Sequence, residues 1–194
     1  LTVTGVQTCA LPIWHPTPGD LAPSDLTAYR ALERSPLCGG YRGWRVCGMP
    51  PPSAGTATTA MLLGILEQFP MSRMAPISAD AVHYFAEAGR LAYADRDRYL
   101  ADPDFVPAPL ARLLAPSYAQ SRSKLIRADR SLGIALPGAV ASRGRYGADA
   151  TLELESTSHL SVVDDAGNAV ALTASIESAF GSRIAVRGFL LNKD

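Results

Sequence analysis

Two runs of β-branched, small and apolar residues, His159 to Val163 and Ala169 to Ile176, flank the tripeptide Asp165-Ala166-Gly167, and no other stretch constrains this chain so tightly. Branched side chains favour extended backbone, while aspartate suits a tight reversal and glycine the left-handed conformation that closes it. The reading is a β-hairpin. If Asp164 pairs with Asn168, the register puts Thr157 opposite Ser175 and His159 opposite Thr173, because side chains alternate between the two faces of a strand. Glu177, two residues beyond Ser175, emerges on that same face.

Two hydroxyls facing each other are ordinary on a half-exposed hairpin, and spacing alone does not separate that reading from a chemical one. The chemical one requires a backbone cut before Thr157. An internal threonine hydroxyl is a poor nucleophile at neutral pH, whereas a threonine at a chain terminus carries its own base in the free α-amine, whose pKa is about 7.7 to 8.0. That amine takes the hydroxyl proton directly or through a water and needs no separate histidine, which suits a region whose only nearby imidazole is His159. Ser175 would then donate a hydrogen bond that orients the Thr157 oxygen. Glu177 would offer a carboxylate to a substrate ammonium.

As a string, Thr157-Ser158-His159-Leu160-Ser161 resembles the Thr-small-His-x-Ser segment with which the small subunit begins, after self-cleavage, in the γ-glutamyltransferase (γ-glutamyltranspeptidase) family. The likeness continues through Gly167-Asn168-Ala169-Val170, Thr173-Ala174-Ser175-Ile176-Glu177 and Phe180-Gly181. Upstream, Asp25-Leu26 to Arg34, Tyr41-Arg42-Gly43, Met49-Pro50-Pro51-Pro52-Ser53, Tyr93-Ala94-Asp95-Arg96 and Asp102-Pro103-Asp104-Phe105 resemble the later part of the large subunit, in the same order. The resemblance covers most of the chain after about Pro18.

The resemblance implies an α+β chain, a fragment of the four-layer αββα N-terminal nucleophile hydrolase fold. It implies one precursor cut between Ser156 and Thr157 into large and small subunits that stay associated. Thr157 would first attack its own preceding carbonyl and later the γ-glutamyl amide of glutathione or a related small molecule, with water, an amino acid or a peptide as acceptor. No cofactor is implied, and the family points to a periplasmic or secreted bacterial enzyme. Ser175 and Glu177 depart from the commoner threonine and asparagine, which leaves open a cephalosporin-type amide acylase of the same superfamily. A non-catalytic homologue that binds without being cut stands as the alternative outside enzymes. The family's remaining contacts to the substrate and to the oxyanion fall outside these residues, so the chain reads as an internal piece with little activity of its own.

With 194 residues, 47% of them hydrophobic, and a formal net charge of zero, there is room for a globular core and nothing that calls for nucleic acid or an anionic membrane as partner. No apolar run approaches the roughly 20 residues that span a bilayer, and no basic start with a small-residue cleavage site marks a signal peptide. The opening Val3 to Ile13 resembles a translated sequencing adapter, and residues 1–17 are set aside as a leader. Cys38 and Cys47 leave a bridge open, with two free buried cysteines as the expectation. Together with His15, His83 and His159 they lack zinc-ligand spacing, so no metal site is expected.

Residues 18–156 read as a mostly helical region and 157–194 as the start of a β region. Ser24 caps a helix from Asp25 to about Arg34, Tyr41 to Val46 is a strand between turns at Gly39-Gly40 and Gly48-Met49-Pro50, and Gly55 to Phe69 is helical. Pro50 to Gly55 is a rigid helix entry, lacking the Lys and Ser/Thr of a phosphate-binding loop. Ser78 caps the longest helix, with Ala81, Tyr84, Phe85, Ala88, Leu91 and Ala92 as its apolar stripe and an Asp95 to Arg98 charge cluster tying its end to the sheet. A further helix is expected from about Pro109 to Ala128, and then a mobile linker over 130–156, rich in Gly and Ala, which gives the new N-terminus at Thr157 slack.

Overall fold

The computed structural model describes residues 23–141, 144, 146–147, 157–176, 180–181, 185–186 and 188–190. The expected leader over 1–17 lies outside them. Backbone proximity divides the chain into two compact units, one made of Glu33–Ala150 and the other of Leu1–Leu32 with Thr151–Asp194.

The unit from Glu33 to Ala150 begins with an antiparallel pair, β1 (Leu37–Tyr41) and β2 (Trp44–Gly48), joined by a two-residue turn in which Arg42 (φ 51°) and Gly43 (φ 84°) are both left-handed. That turn type matches the right-handed twist of the flanking strands. The strand expected over Tyr41 to Val46 is therefore corrected, since it straddles the turn. Gly39 and Gly40 are not turn residues but lie inside β1. A Cβ on Gly39 would come within 3.4 Å of the Ala60 Cβ on the next helix, so the absence of a side chain serves close packing here.

Cys38 and Cys47 are directly paired across this hairpin, with Cα atoms 4.1 Å apart, and form a disulfide. The expectation of two free buried thiols is thus overturned. Direct cross-strand pairing brings the two Cβ atoms within bonding reach, and Cys47 is exposed rather than buried.

Helix α2 (Gly55–Leu66) is central, packing against β1, helix α3 (Ala79–Tyr99) and helix α5 (Pro116–Ser123). Its Met61, Ile65 and Leu66 are buried with Ala88, Leu91, Ala92 and Tyr99 of α3 and with Ala119 of α5, in two adjoining clusters that also take in Leu113 and Ile126. Each large aliphatic side chain so buried contributes roughly 1.5 to 3 kcal/mol. α3 starts as the sequence predicts, with Ser78 Oγ accepting from the Ala81 amide at 3.3 Å. Phe85 leaves the expected stripe, being 57% exposed, because it lies about 100° around the helix from the core-facing Tyr84 and Ala88 line.

The helix expected from Pro109 to Ala128 is broken in two, α4 (Leu110–Leu113) and α5. The break falls at Ala115, whose ψ of 135° is extended, because the Pro116 ring clashes with a helical predecessor. Pro116 then suits the first turn of α5, where its missing amide leaves no bond unmade.

Three charges enter this core. Asp95 on α3 is fully buried, and Arg122 of α5 sits with its Nε 3.1 Å from Asp95 Oδ2. That contact is an ion pair without a well-aimed hydrogen bond, for the directed bonds go elsewhere. Asp95 Oδ1 accepts from the Gly138 amide at 2.7 Å, and Arg122 Nη2 donates to the Leu91 carbonyl at 3.2 Å and the Leu136 carbonyl at 2.8 Å. Burial pushes the Asp95 carboxyl up, against the pull of the Gly138 amide and Arg122; burial and the Asp95 charge push the neighbouring Tyr118 phenol up as well. Glu87, also buried, accepts from Ser131 Oγ at 2.6 Å and the Leu132 amide at 2.7 Å, and these bonds with Arg90 outweigh burial and hold its carboxyl below the usual range.

These charges grip the chain that follows α5. Tyr99 Oη donates to the Gly138 carbonyl at 2.6 Å and accepts from the Val140 amide at 3.3 Å, so residues 131 to 140 are held to α3 at several points. The mobile linker expected over 130–156 is therefore corrected over 131–140, where these bonds fix the backbone; residues 148–156 lie outside the described residues. Asp95 thus anchors the end of α3 to α5 and to residue 138, not to a sheet.

The second unit contains helix α1 (Pro23–Ala28), which begins before and ends well short of the expected Asp25 to Arg34 span, and, among the described residues, two strand pairs: β3 (Thr157–Val163) with β4 (Ala169–Ser175), and β5 (Ala185–Val186) with β6 (Phe189–Leu190). Helix and sheet thus give the α+β class that the sequence predicts.

Asp95→Ala leaves Arg122 buried without its counter-charge and is expected to lower unfolding free energy by about 3 to 5 kcal/mol in urea titration. Replacing Cys38 and Cys47 together by serine opens a loop with a sequence separation of 9. By loop-closure entropy this costs about 2 to 3 kcal/mol on the same measurement, and non-reducing peptide mapping of the unmodified chain recovers the two segments linked.

Candidate active site

Residues Asp164 to Gly167 form the turn that fixes everything about this hairpin. The Gly167 amide donates to the Asp164 carbonyl at 3.0 Å, and the Asp164 amide donates to the Asn168 carbonyl at 3.0 Å. Gly167 has a φ of 83°, so glycine supplies the left-handed residue that a three-residue loop with a bulge demands. The Asp164 carboxylate closes the turn from inside. Its Oδ1 accepts from the Ala166 amide at 3.0 Å and the Asn168 amide at 2.8 Å, and its Oδ2 accepts from Asn168 Nδ2 at 2.7 Å. The bonds from Asn168 hold this fully exposed carboxyl below the usual carboxylate range.

From that turn the register runs as the sequence predicts. Val163 pairs with Ala169, Leu160 with Leu172, His159 with Thr173 and Thr157 with Ser175. Because Asp164 and Asn168 exchange a backbone bond, the alternation of an antiparallel ladder makes His159–Thr173 and Thr157–Ser175 non-hydrogen-bonded pairs, the kind in which facing side chains lie closer. The two faces of the hairpin differ sharply. Thr157, His159, Ser161, Thr173 and Ser175 share one face, while Leu160, Val162, Val170 and Leu172 share the other.

On the hydroxyl face, His159 Nδ1 lies 2.7 Å from Thr173 Oγ1 across the strands, and its Nε2 lies 3.1 Å from Ser161 Oγ along its own strand. Sequence reading set His159 aside as an imidazole that the chemistry does not need. The signal that would have found its contacts is its own register position, opposite one hydroxyl and two residues from another. Thr157 and Ser175 are both described and paired; Ser156 and Glu177 lie outside the described residues. Among the described residues no cluster of three or more His, Cys, Asp or Glu side chains is placed to hold a metal ion, and no helix is long and apolar enough to cross a membrane.

The described residues thus form an α+β chain in which Thr157 and Ser175 face each other at the head of a hydroxyl-lined hairpin. Comparison with known proteins narrows this. The sequence model of the gamma-glutamyltranspeptidase family matches residues 14–194. The chain is 44% identical over 176 residues to the glutathione hydrolase proenzyme of Escherichia coli K12, covering 90% of this chain and 29% of that protein. It is 37% identical over 165 residues to the acylase ACY 1 proenzyme of Pseudomonas sp. V22, covering 85% and 28%. Among solved structures it resembles cephalosporin acylase from Bacillus halodurans, with a TM-score of 0.73 and 28% identity over 90% of this chain and 29% of that one. The chain belongs to the gamma-glutamyltranspeptidase family, and it spans less than a third of the length of these relatives.

Gly167→Ala forces a Cβ into the left-handed region and is expected to weaken the hairpin by about 1 kcal/mol, read as roughly fivefold faster exchange of the ladder-bonded amides of Val162 and Val170.

Proposed function

We propose that this chain carries the cleavage site and nucleophile of a γ-glutamyl-transferring hydrolase. The Thr157 hydroxyl attacks the Ser156 carbonyl carbon; the C–N bond breaks, the hydroxyl proton passes to the freed amine, and an ester joins Ser156 to Thr157 Oγ. Water hydrolyses that ester, leaving Ser156 with a carboxylate and Thr157 with a free α-amine.

In the mature protein that amine takes the hydroxyl proton as Oγ attacks the γ-carbonyl of a glutathione-like amide, and the leaving amine departs with a proton. The γ-glutamyl ester then passes its acyl group to water, an amino acid or a peptide, and Thr157 Oγ regains its hydrogen. Ser175 donates to the Thr157 oxygen and holds its direction. Glu177 binds the substrate ammonium. The large and small subunits from one precursor remain associated. The observation that carries this reading is the pairing of Thr157 with Ser175 at the head of the hairpin, in a chain of this family.

The acylase reading draws on the departures at Ser175 and Glu177, together with the likeness to ACY 1 and to the Bacillus halodurans enzyme. Relative rates on glutathione and on cephalosporin-type acyl amides separate the two. The Cys38–Cys47 disulfide supports a periplasmic or secreted location, where thiols are oxidised.

The test is the intact mass and N-terminal sequence of the purified full-length precursor beside its Thr157→Ala form. Cleavage before Thr157, abolished by the substitution, is expected. A well-folded precursor that stays whole would sink the nucleophile assignment and leave a binding role.

A further inference from the structure

Resting on the reading of Thr157 as the nucleophile, we propose that His159 is a positioning residue whose imidazole locks the reacting end of the hairpin. Of the side chains described on the hydroxyl face, His159 has contacts that reach both across the ladder and along it. Nδ1 is 2.7 Å from Thr173 Oγ1 on β4, and Nε2 is 3.1 Å from Ser161 Oγ on β3. Thr173 is the same-face neighbour of Ser175, and His159 is the same-face neighbour of Thr157. The bridge therefore spans the strands one facing pair away from the two hydroxyls that must meet.

The chemistry of the three groups suits a lock. A neutral imidazole has one donor and one acceptor, and each hydroxyl supplies whichever the ring lacks, so both ring nitrogens find partners. His159–Thr173 is a non-hydrogen-bonded pair, so no backbone bond ties the strands at that level. A side-chain bridge there resists the twisting and fraying to which strand ends are prone, and misplacement of a reacting group by even an ångström slows chemistry steeply. His159 acts through Thr173 and Ser161 and takes no proton from Thr157: in the precursor that proton passes to the departing nitrogen, and in the mature protein to the free α-amine.

The experiment follows the first-order rate of self-cleavage of the purified full-length precursor, with Thr157→Ala as the uncut standard. His159→Ala is expected to slow cleavage roughly tenfold or more. His159→Gln, which keeps a donor and an acceptor at similar reach, is expected to recover most of the rate. Thr173→Val keeps the shape of the strand but removes the bridging hydroxyl, so it is expected to slow cleavage while Thr173→Ser does not; that pair carries the test if His159→Ala fails to fold. Combining His159→Ala with Thr173→Val is expected to be no slower than the slower single variant, as for two ends of one interaction. Wild-type rates in His159→Ala and Thr173→Val would overturn the positioning role and leave the nucleophile assignment standing. Equal slowing by His159→Ala and His159→Gln would also overturn it, by showing that the imidazole itself and not its bridging bonds matters. A wild-type precursor that is never cut before Thr157 would overturn the underlying reading instead.

Discussion

The register of one hairpin decides what this chain is able to do, and the Asp164 side chain decides the register. Three hydrogen bonds converge on its carboxylate within five residues, and the left-handed Gly167 lets the Asn168 carbonyl reach back to the Asp164 amide. A slip of a single residue would turn Thr157 and His159 to the face now occupied by Leu160 and Val162, because side chains alternate without exception along a strand. The hydroxyls would then sit among aliphatic groups, with nothing opposite them to hold. Turn chemistry ten residues away thus governs whether the Thr157 hydroxyl has another hydroxyl opposite it.

The helical unit meets a different problem, which is how to fix an irregular segment without a strand to pair it. Residues 131 to 140 have backbone amides and carbonyls that need partners, and α3 and α5 supply them from side chains. Glu87 takes the Leu132 amide, Asp95 the Gly138 amide, Arg122 the Leu136 carbonyl, and Tyr99 both the Gly138 carbonyl and the Val140 amide. Burying Asp95 and Arg122 is costly unless each charge meets the other and the backbone as well. Here the polar groups at the core are the means by which helices hold loop.

Much of this was legible in the residues. The hairpin, its turn and its register follow from the tripeptide Asp165-Ala166-Gly167 and the alternation around it, because turn chemistry and period two are local. The Ser78 cap and the start of α2 at Gly55 are local in the same sense, though α2 ends at Leu66 and not at the expected Phe69. What escaped reading depended on partners distant in sequence. Gly39 looks like a turn residue until Ala60 is seen against it. Cys38 and Cys47 look free until the turn is placed between Tyr41 and Trp44. Asp95 does leave a trace, since with Ala88, Leu91 and Tyr99 it falls on the buried line of α3, and a charge at such a position announces a buried partner; that the partner is Arg122 only packing reveals. Pro116 at the start of α5 is a local signal that outweighs the longer periodic run around it.

The apolar face formed by Leu160, Val162, Val170 and Leu172 is exposed, and among the described residues neither β3 nor β4 has a second neighbour. A two-stranded ribbon of that kind offers unpaired amides and carbonyls along both outer edges beside a greasy surface, which is a template for strand addition by any chain that presents a matching edge. Proper assembly must compete with that reaction from the moment the ribbon forms. The geometry that displays the hydroxyls to one side therefore also makes early burial of the other side a condition for keeping the ribbon out of edge-to-edge association.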